Sequence, residues 1–172
     1  MPAHLTSPGD LPVSRAAAGT RPAIADRRPG HFTADRAEEV IWGQAMVAQL
    51  ACEQMTEPAL DAVRDTIEQA GRLPSRPGWG QKAAVLAELY RLLADVAGIM
   101  AVAGESGREA EAIGELMCTV GPVANGMITS SRRRLLAHLS AGDADAAALE
   151  METHLRSLHF LWRLAQQPAP AG

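Results

Sequence analysis

Two side chains of this sequence occupy positions where polar chemistry is costly and therefore informative. His154 stands between Met151 and Leu158 on one helical face, so its imidazole should point at least partly inward. Arg132 shares a face with Ile128, Leu135 and Leu139. A guanidinium on an apolar face is costly without a carboxylate partner. Its planar fork of donors matches a carboxylate, so it could anchor an anionic ligand. The imidazole of His154 could accept or donate a proton. The plainer alternative is that Arg132 belongs to a solvated basic helix start, Arg132-Arg133-Arg134, and that His154 is a hydrogen-bonded core residue.

Other chemistry-bearing residues carry less. His138 and His159 fall on other helix faces and read as surface or packing residues, and Glu150 and Glu152 read as a solvated acidic face. Ser130-Ser131 could cap a helix. Cys52 and Cys118 belong to no CxxC or CxxH pattern and read as small buried apolar residues in a reducing compartment. No GxSxG, Walker-type loop, HExxH or dinucleotide fingerprint occurs.

The elements that must position Arg132 and His154 are helices. The 172 residues suit one domain, long enough to bury a core. Apolar residues make up 47% and aromatics only 3%, so Leu, Ala, Val, Ile and Met must build that core. A net charge of −4 lacks the basic footprint of nucleic-acid binding. No apolar run approaches the length of a membrane span, and no secretory signal pattern opens the chain, which points to a cytoplasmic protein.

Residues 1–32 hold Pro2, Pro8, Pro12, Pro22 and Pro29 and keep no helical or strand period, so a disordered tail is expected there. A second tail is expected over 167–172, leaving an all-α domain over 33–166: an antiparallel bundle of about six helices. Thr33 is the expected cap of the first helix, whose stripe is Ala37, Ile41, Ala48, Cys52 and Met55 with Val47 and Leu50. Thr56 should cap the second helix, with Leu60, Val63, Ile67 and Ala70 inward and Gly71 as a left-handed stop. A turn-rich loop spans Arg72 to Gly80, and Trp79 should pack over a helix end. The third helix is expected from Gln81 to Ala97, closed by Gly98. Gly104, Gly107 and Gly114 disfavour a long helix, so only 107–119 is expected to be helical, with a break at Gly121. A fifth helix should end at Ala141. The last, capped by Asp143, should bury Ala148, Met151, Leu155, Leu158, Trp162 and Ala165.

Three places, in order and at consistent spacing, resemble the FCD (FadR C-terminal) effector-binding domain of GntR-family regulators. They are Leu50-Ala51-Cys52-Glu53, the run from Leu89 to Gly98 (LYRLLADVAG), and Gly142-Asp143 followed by His154. The resemblance covers about 130 residues, Glu38 to Leu164. It implies a helical bundle with an interior effector site, and a homodimer. In many members an Asp and a His one turn apart, with two further histidines, hold a divalent metal. Here the Asp position falls on Leu86, the first His on Tyr90 and the second on Arg132; His154 alone remains. Three or four ligands are usual for such a metal, so no metal and no other cofactor is expected.

The resemblance therefore implies a ligand site of Leu86, Tyr90, Arg132 and His154, with Arg132 replacing the metal as anchor for a small anionic organic molecule such as a carboxylate. Family regulators carry a winged helix-turn-helix before this domain, which the Pro-rich front of this sequence does not resemble, so no DNA binding is expected. Three readings stay open: a stand-alone ligand-binding module; a metal-independent enzyme of specialised metabolism, a cyclase, dehydratase or isomerase with Tyr90 as catalytic acid, His154 as base and Arg132 as anion clamp; or a degenerate regulator that acts through a protein partner.

Overall fold

A computed structural model describes residues 36–99 and 103–167, with side chains in the second stretch described from Gly107 onward. The described residues form six α-helices and no strand, the all-α class expected. They are α1 (Ala37–Glu53), α2 (Glu57–Arg72), α3 (Trp79–Val96), α4 (Ala103–Val120), α5 (Asn125–Ala141) and α6 (Ala144–Ala165). Thr33 and the two tails, Gln167 excepted, lie outside the described residues.

Helix ends follow local chemistry. Thr56 Oγ1 accepts from the Ala59 N–H at 3.4 Å, and Pro58 sits in the first turn of α2, where a missing N–H costs nothing. Asp143 caps α6, its Oδ1 accepting from the Ala146 N–H at 3.0 Å. Gly142 adopts φ +68°, which lets the Asp143 N–H reach back to the His138 carbonyl at 3.0 Å and close α5. Gly98 and Gly121 also take positive φ, +68° and +78°, Gly121 with an extended ψ, as expected of a stop after α3 and a break after α4. Trp79 opens α3, and its indole N–H donates to the Met117 carbonyl at 2.9 Å, a second bond on a carbonyl that also accepts from the Gly121 N–H at 2.9 Å, which ties the start of α3 to the end of α4.

Several expectations fail where packing overrides local preference. Gly71 remains helical; α2 runs to Arg72 and ends on the extended backbone of Leu73. The glycines of α4 do not shorten it. A Cβ on Gly114 would approach Ala87 Cβ to 3.3 Å, so there glycine lets α3 and α4 come close, and burial along that contact offsets its low helix propensity. Ser130 and Ser131 lie inside α5 and cap nothing. Cys118 is exposed, because α4 turns Ile113, Leu116, Met117 and Val120 inward and leaves position 118 on the opposite side. Ala165 is exposed as well, and Ala147 takes the buried place at the other end of α6.

α6 packs on α1, α5 and α4, and α3 packs on α4, α2 and α1. The α1/α6 pair is antiparallel: Arg156 reaches Glu38 with two hydrogen bonds at 2.8 and 3.1 Å, and Gln49 donates to Asp145 at 3.2 Å. The core is the apolar mixture the composition required, with Ile41, Leu89, Leu93, Ile113, Leu116, Met117, Ile128, Leu135, Met151 and Leu155 all fully buried. Each such Leu, Ile or Met stabilises the fold by about 1.5–3 kcal/mol through removal from water. α3, α5 and α6 together carry Tyr90, Arg132 and His154 into this core.

Candidate functional site

Three helices supply one polar side chain each to the interior. Arg132 comes from the buried face of α5, the face of Ile128, Leu135 and Leu139, and is only 1% exposed. His154 comes from the Met151 and Leu158 face of α6 and is 2% exposed. Tyr90 comes from α3, between buried Leu89 and Leu93 in sequence, and is 1% exposed. The α5/α6 hairpin sets the first two facing each other, because the short Gly142-Asp143 connection forces α6 back along α5. Leu86, one turn before Tyr90 on α3, is buried in the surrounding hydrophobic core.

The geometry centres on the Arg132 guanidinium. Its Nη2 donates to the Tyr90 hydroxyl oxygen at 2.5 Å and stands 3.3 Å from His154 Nε2. The guanidinium carbon lies 4.6 Å from the centre of the Tyr90 ring, so the same side chain is both a hydrogen-bond acceptor and a π face for the cation. Arginine has only donors to offer, so His154 Nε2 must accept. That choice places the imidazole proton on Nδ1.

Electrostatics agree with the hydrogen bonds. Burial, and then the neighbouring Arg132 and Arg134 charges, hold His154 well below the ordinary histidine range, so its ring is neutral. Burial raises the Tyr90 hydroxyl above its ordinary value, only partly countered by the Arg132 charge and hydrogen bond. The cluster thus combines one cation with two neutral groups.

What the cluster lacks is a negatively charged acceptor. Among the described residues no carboxylate pairs with Arg132, although each of the other ion-paired arginines there has one. The Arg132 Nε–H and the His154 Nδ1–H are both buried without a hydrogen-bond partner. Unpaired buried donors of this kind are rare and each costs about 1–3 kcal/mol. The arrangement can receive an acceptor-only group bearing negative charge. It does not suit a divalent metal: the guanidinium repels one, and His154 is the single ligand-type side chain of the three. Among the described residues no three His, Cys, Asp or Glu side chains gather closely enough to hold an ion.

Two polar residues escaped the sequence reading. Gln44 is buried on α1 and donates to Glu109 of α4 at 2.7 Å. Lys82 is buried at the start of α3 and donates to the Leu73 carbonyl at 3.3 Å. Both were visible in principle: Gln44 falls between Ile41 and Ala48 on the inward stripe, and Lys82 lies one turn before Leu86. Glu150, read as solvated, instead accepts a two-pronged contact from Arg134 at 2.8 and 2.9 Å. Burial would raise its carboxyl, but Arg134 outweighs that and holds it below the ordinary value. Glu152 is also paired, with Arg156. His138 and His159 are half-buried and stand apart from the cluster, His159 stacking on Trp162 with ring centres 5.7 Å apart.

Comparison with family models, with curated proteins and with solved structures returned no match to this chain.

Proposed function

We propose that this domain is an FCD-like binding module that holds a small anionic organic molecule, a carboxylate, against Arg132 in the interior between α3, α5 and α6, and that it acts in the cytoplasm without contacting DNA. One observation carries the reading: Arg132 is fully buried with no carboxylate partner among the described residues, and its own Nε–H and the neighbouring His154 Nδ1–H are buried donors that have no acceptor. A stable core gains nothing from such a group, because a buried guanidinium is tolerated only when charge or hydrogen bonds compensate it. A carboxylate would supply both, accepting from Arg132 and from His154 Nδ1–H at once. The neutral state of His154 matters here, since it adds a donor without adding a second charge. One cation matched to one carboxylate leaves the interior neutral. The acidic balance of the chain, −4, supports a partner other than nucleic acid.

Arg132 turns its Nη2 donors onto Tyr90 and His154, neutral acceptors within the core. Admission of a ligand requires α3, α5 and α6 to part, so association should be slow compared with ordinary docking. The test is calorimetric titration with a panel of small mono- and dicarboxylates, run on the wild-type chain and on Arg132→Met. Saturable binding that Arg132→Met lowers at least a hundredfold is expected. Equal binding by both proteins, or preference for cations or neutral analogues, contradicts the reading.

A further inference from the structure

Arg132 and His154 are not alone in carrying an unmet hydrogen bond in the core. Gln44 is 1% exposed on α1, in the stripe of Ile41 and Ala48, which are fully buried. Its amide orientation follows from its neighbour. Nε2 donates to Glu109 at 2.7 Å, and an ionised carboxylate only accepts, so the amino end must face it. Oε1 is then left buried, and among the described residues nothing donates to it. Buried polar atoms without a partner are exceptional in folded cores, and each calls for a cause.

Gln44 and His154 lie on helices that pack directly, α1 and α6. The Glu38–Arg156 and Gln49–Asp145 bonds set one antiparallel register, which brings Gln44 level with Glu150 and His154 level with Val40. Gln44 and His154 are therefore offset along the helix pair by about four residues, or about 6 Å. Each stands on the buried stripe of its own helix, so both face the interior. Met151, also buried, precedes His154 on the α6 stripe and falls within that offset. One end of the stretch holds unmet donors, Arg132 Nε–H and His154 Nδ1–H. The other holds an unmet acceptor, Gln44 Oε1.

We infer that Gln44 sets the specificity of the interior site: its ligand is a short monocarboxylate that carries a hydrogen-bond donor, an amine or a hydroxyl, at the far end, and Gln44 Oε1 accepts from that donor. This rests on the carboxylate reading of Arg132 given above, and Gln44 lies outside the four positions that the FCD resemblance supplies. The polarity then matches at both ends, acceptors of the ligand on Arg132 and His154, its donor on Gln44. Three bonds of extended chain span at most about 3.6 Å, so about five bonds from carboxyl carbon to donor atom cover the 6 Å offset. The methylenes between them meet apolar surroundings. Met151 is the side chain that must give way, and its unbranched thioether repacks readily without leaving a polar group unmet. A dicarboxylate of the same length does not fit. Its far carboxylate has no proton for Gln44 Oε1 and would bring a second negative charge beside Glu109. An alkyl end would leave Oε1 buried and unmet, which a site built around a polar group tolerates poorly.

The test is calorimetric titration of the full chain with four acids of matched length: 5-aminopentanoate, 5-hydroxypentanoate, hexanoate and hexanedioate. At least one of the two donor-bearing acids should bind tenfold or more tighter than hexanoate, with hexanedioate the weakest. An amine ahead of the hydroxyl gives the Glu109 charge a part; equal binding of the two leaves the hydrogen bond alone responsible. In Gln44→Leu the advantage over hexanoate should disappear, and in Arg132→Met all four acids should weaken. The wild-type comparison needs no variant, so it decides even where Gln44→Leu fails to fold. Hexanoate or hexanedioate binding as tightly as both donor-bearing acids overturns the role of Gln44 and leaves the Arg132 reading standing. So does an advantage that survives Gln44→Leu. Binding indifferent to Arg132→Met, or none by any of the four acids, overturns both.

Discussion

Arg132 and Arg134 are two residues apart on the same helix and live under opposite rules. Arg134 lies in water, and Glu150 meets it with two hydrogen bonds at 2.8 and 2.9 Å. Arg132 lies in the core, and only the neutral side chains Tyr90 and His154 meet it. The pair that stability arguments would favour is where charge is cheap, and the unpaired charge is where it is expensive. Exposed ion pairs contribute about 0–1 kcal/mol. A buried charge left without a counter-charge costs several times that. The difference teaches that the α5/α6 hairpin is held by its apolar face and its surface clips, while Arg132 is carried at a cost. Such a cost is what the proposed carboxylate ligand would offset.

The comparison can be broken most forcefully at Arg132 itself. Arg132→Met keeps an unbranched apolar side chain in the core and removes the charge. The ligand-free protein should become more stable, by about 1–2 kcal/mol. Urea unfolding of the two proteins measures this directly. A loss of stability instead would mean that Arg132 is a structural keystone and that its hydrogen bonds outweigh its burial.

A smaller effect separates the two regions by pH. His154 in the fold titrates well below its value in the unfolded chain, so its contribution is present above about pH 6.5, the ordinary histidine value. Stability should decline as pH falls below that, because the unfolded chain takes a proton that the fold refuses, at up to about 1.4 kcal/mol per pH unit. Glu150 is shifted down, so its contribution is lost only as pH falls below the ordinary carboxylate range. His159 shifts in the same direction as His154 but is more exposed, so the informative quantity is the difference between two proteins. His154→Leu should flatten the limb between pH 6.5 and 5 while leaving the lower one. Unfolding curves across that range check it; an unchanged limb would mean that His154 is not neutral in the fold.

The smallest effect belongs to the surface clip. Glu150→Ala should cost less than about 1 kcal/mol, since Arg134 is then simply hydrated. Thermal denaturation in low and high salt measures it, and salt should shrink the difference. A cost above about 2 kcal/mol would place the clip, and not the core, at the centre of the hairpin's stability.

How much of this was legible in the sequence depends on whether one helix or two decided the matter. Thr56, Gly98, Gly121, Gly142 and Asp143 act within a few residues of themselves, and each was readable from local chemistry. The inward placement of Arg132 and His154 followed from the stripes of their own helices, so it too was readable. The continuity of α4 through its glycines was not, because it depends on the close approach of Ala87 on another helix. The Glu150–Arg134 clip failed for the same reason: a single-helix period puts Glu150 on a polar face but cannot see Arg134 reaching across. Gln44 and Lys82 were missed differently. Both sit on inward stripes and were passed over because their residue types suggest solvent.

The most direct measurement of the central claim is native mass spectrometry of the wild-type chain and Arg132→Met, expressed and purified side by side, with metal analysis of the same samples. A small organic anion retained by the wild type, free of stoichiometric metal and lost in Arg132→Met, is the predicted result. A bound divalent metal, or an identical small molecule on both proteins, would contradict an Arg132-anchored site.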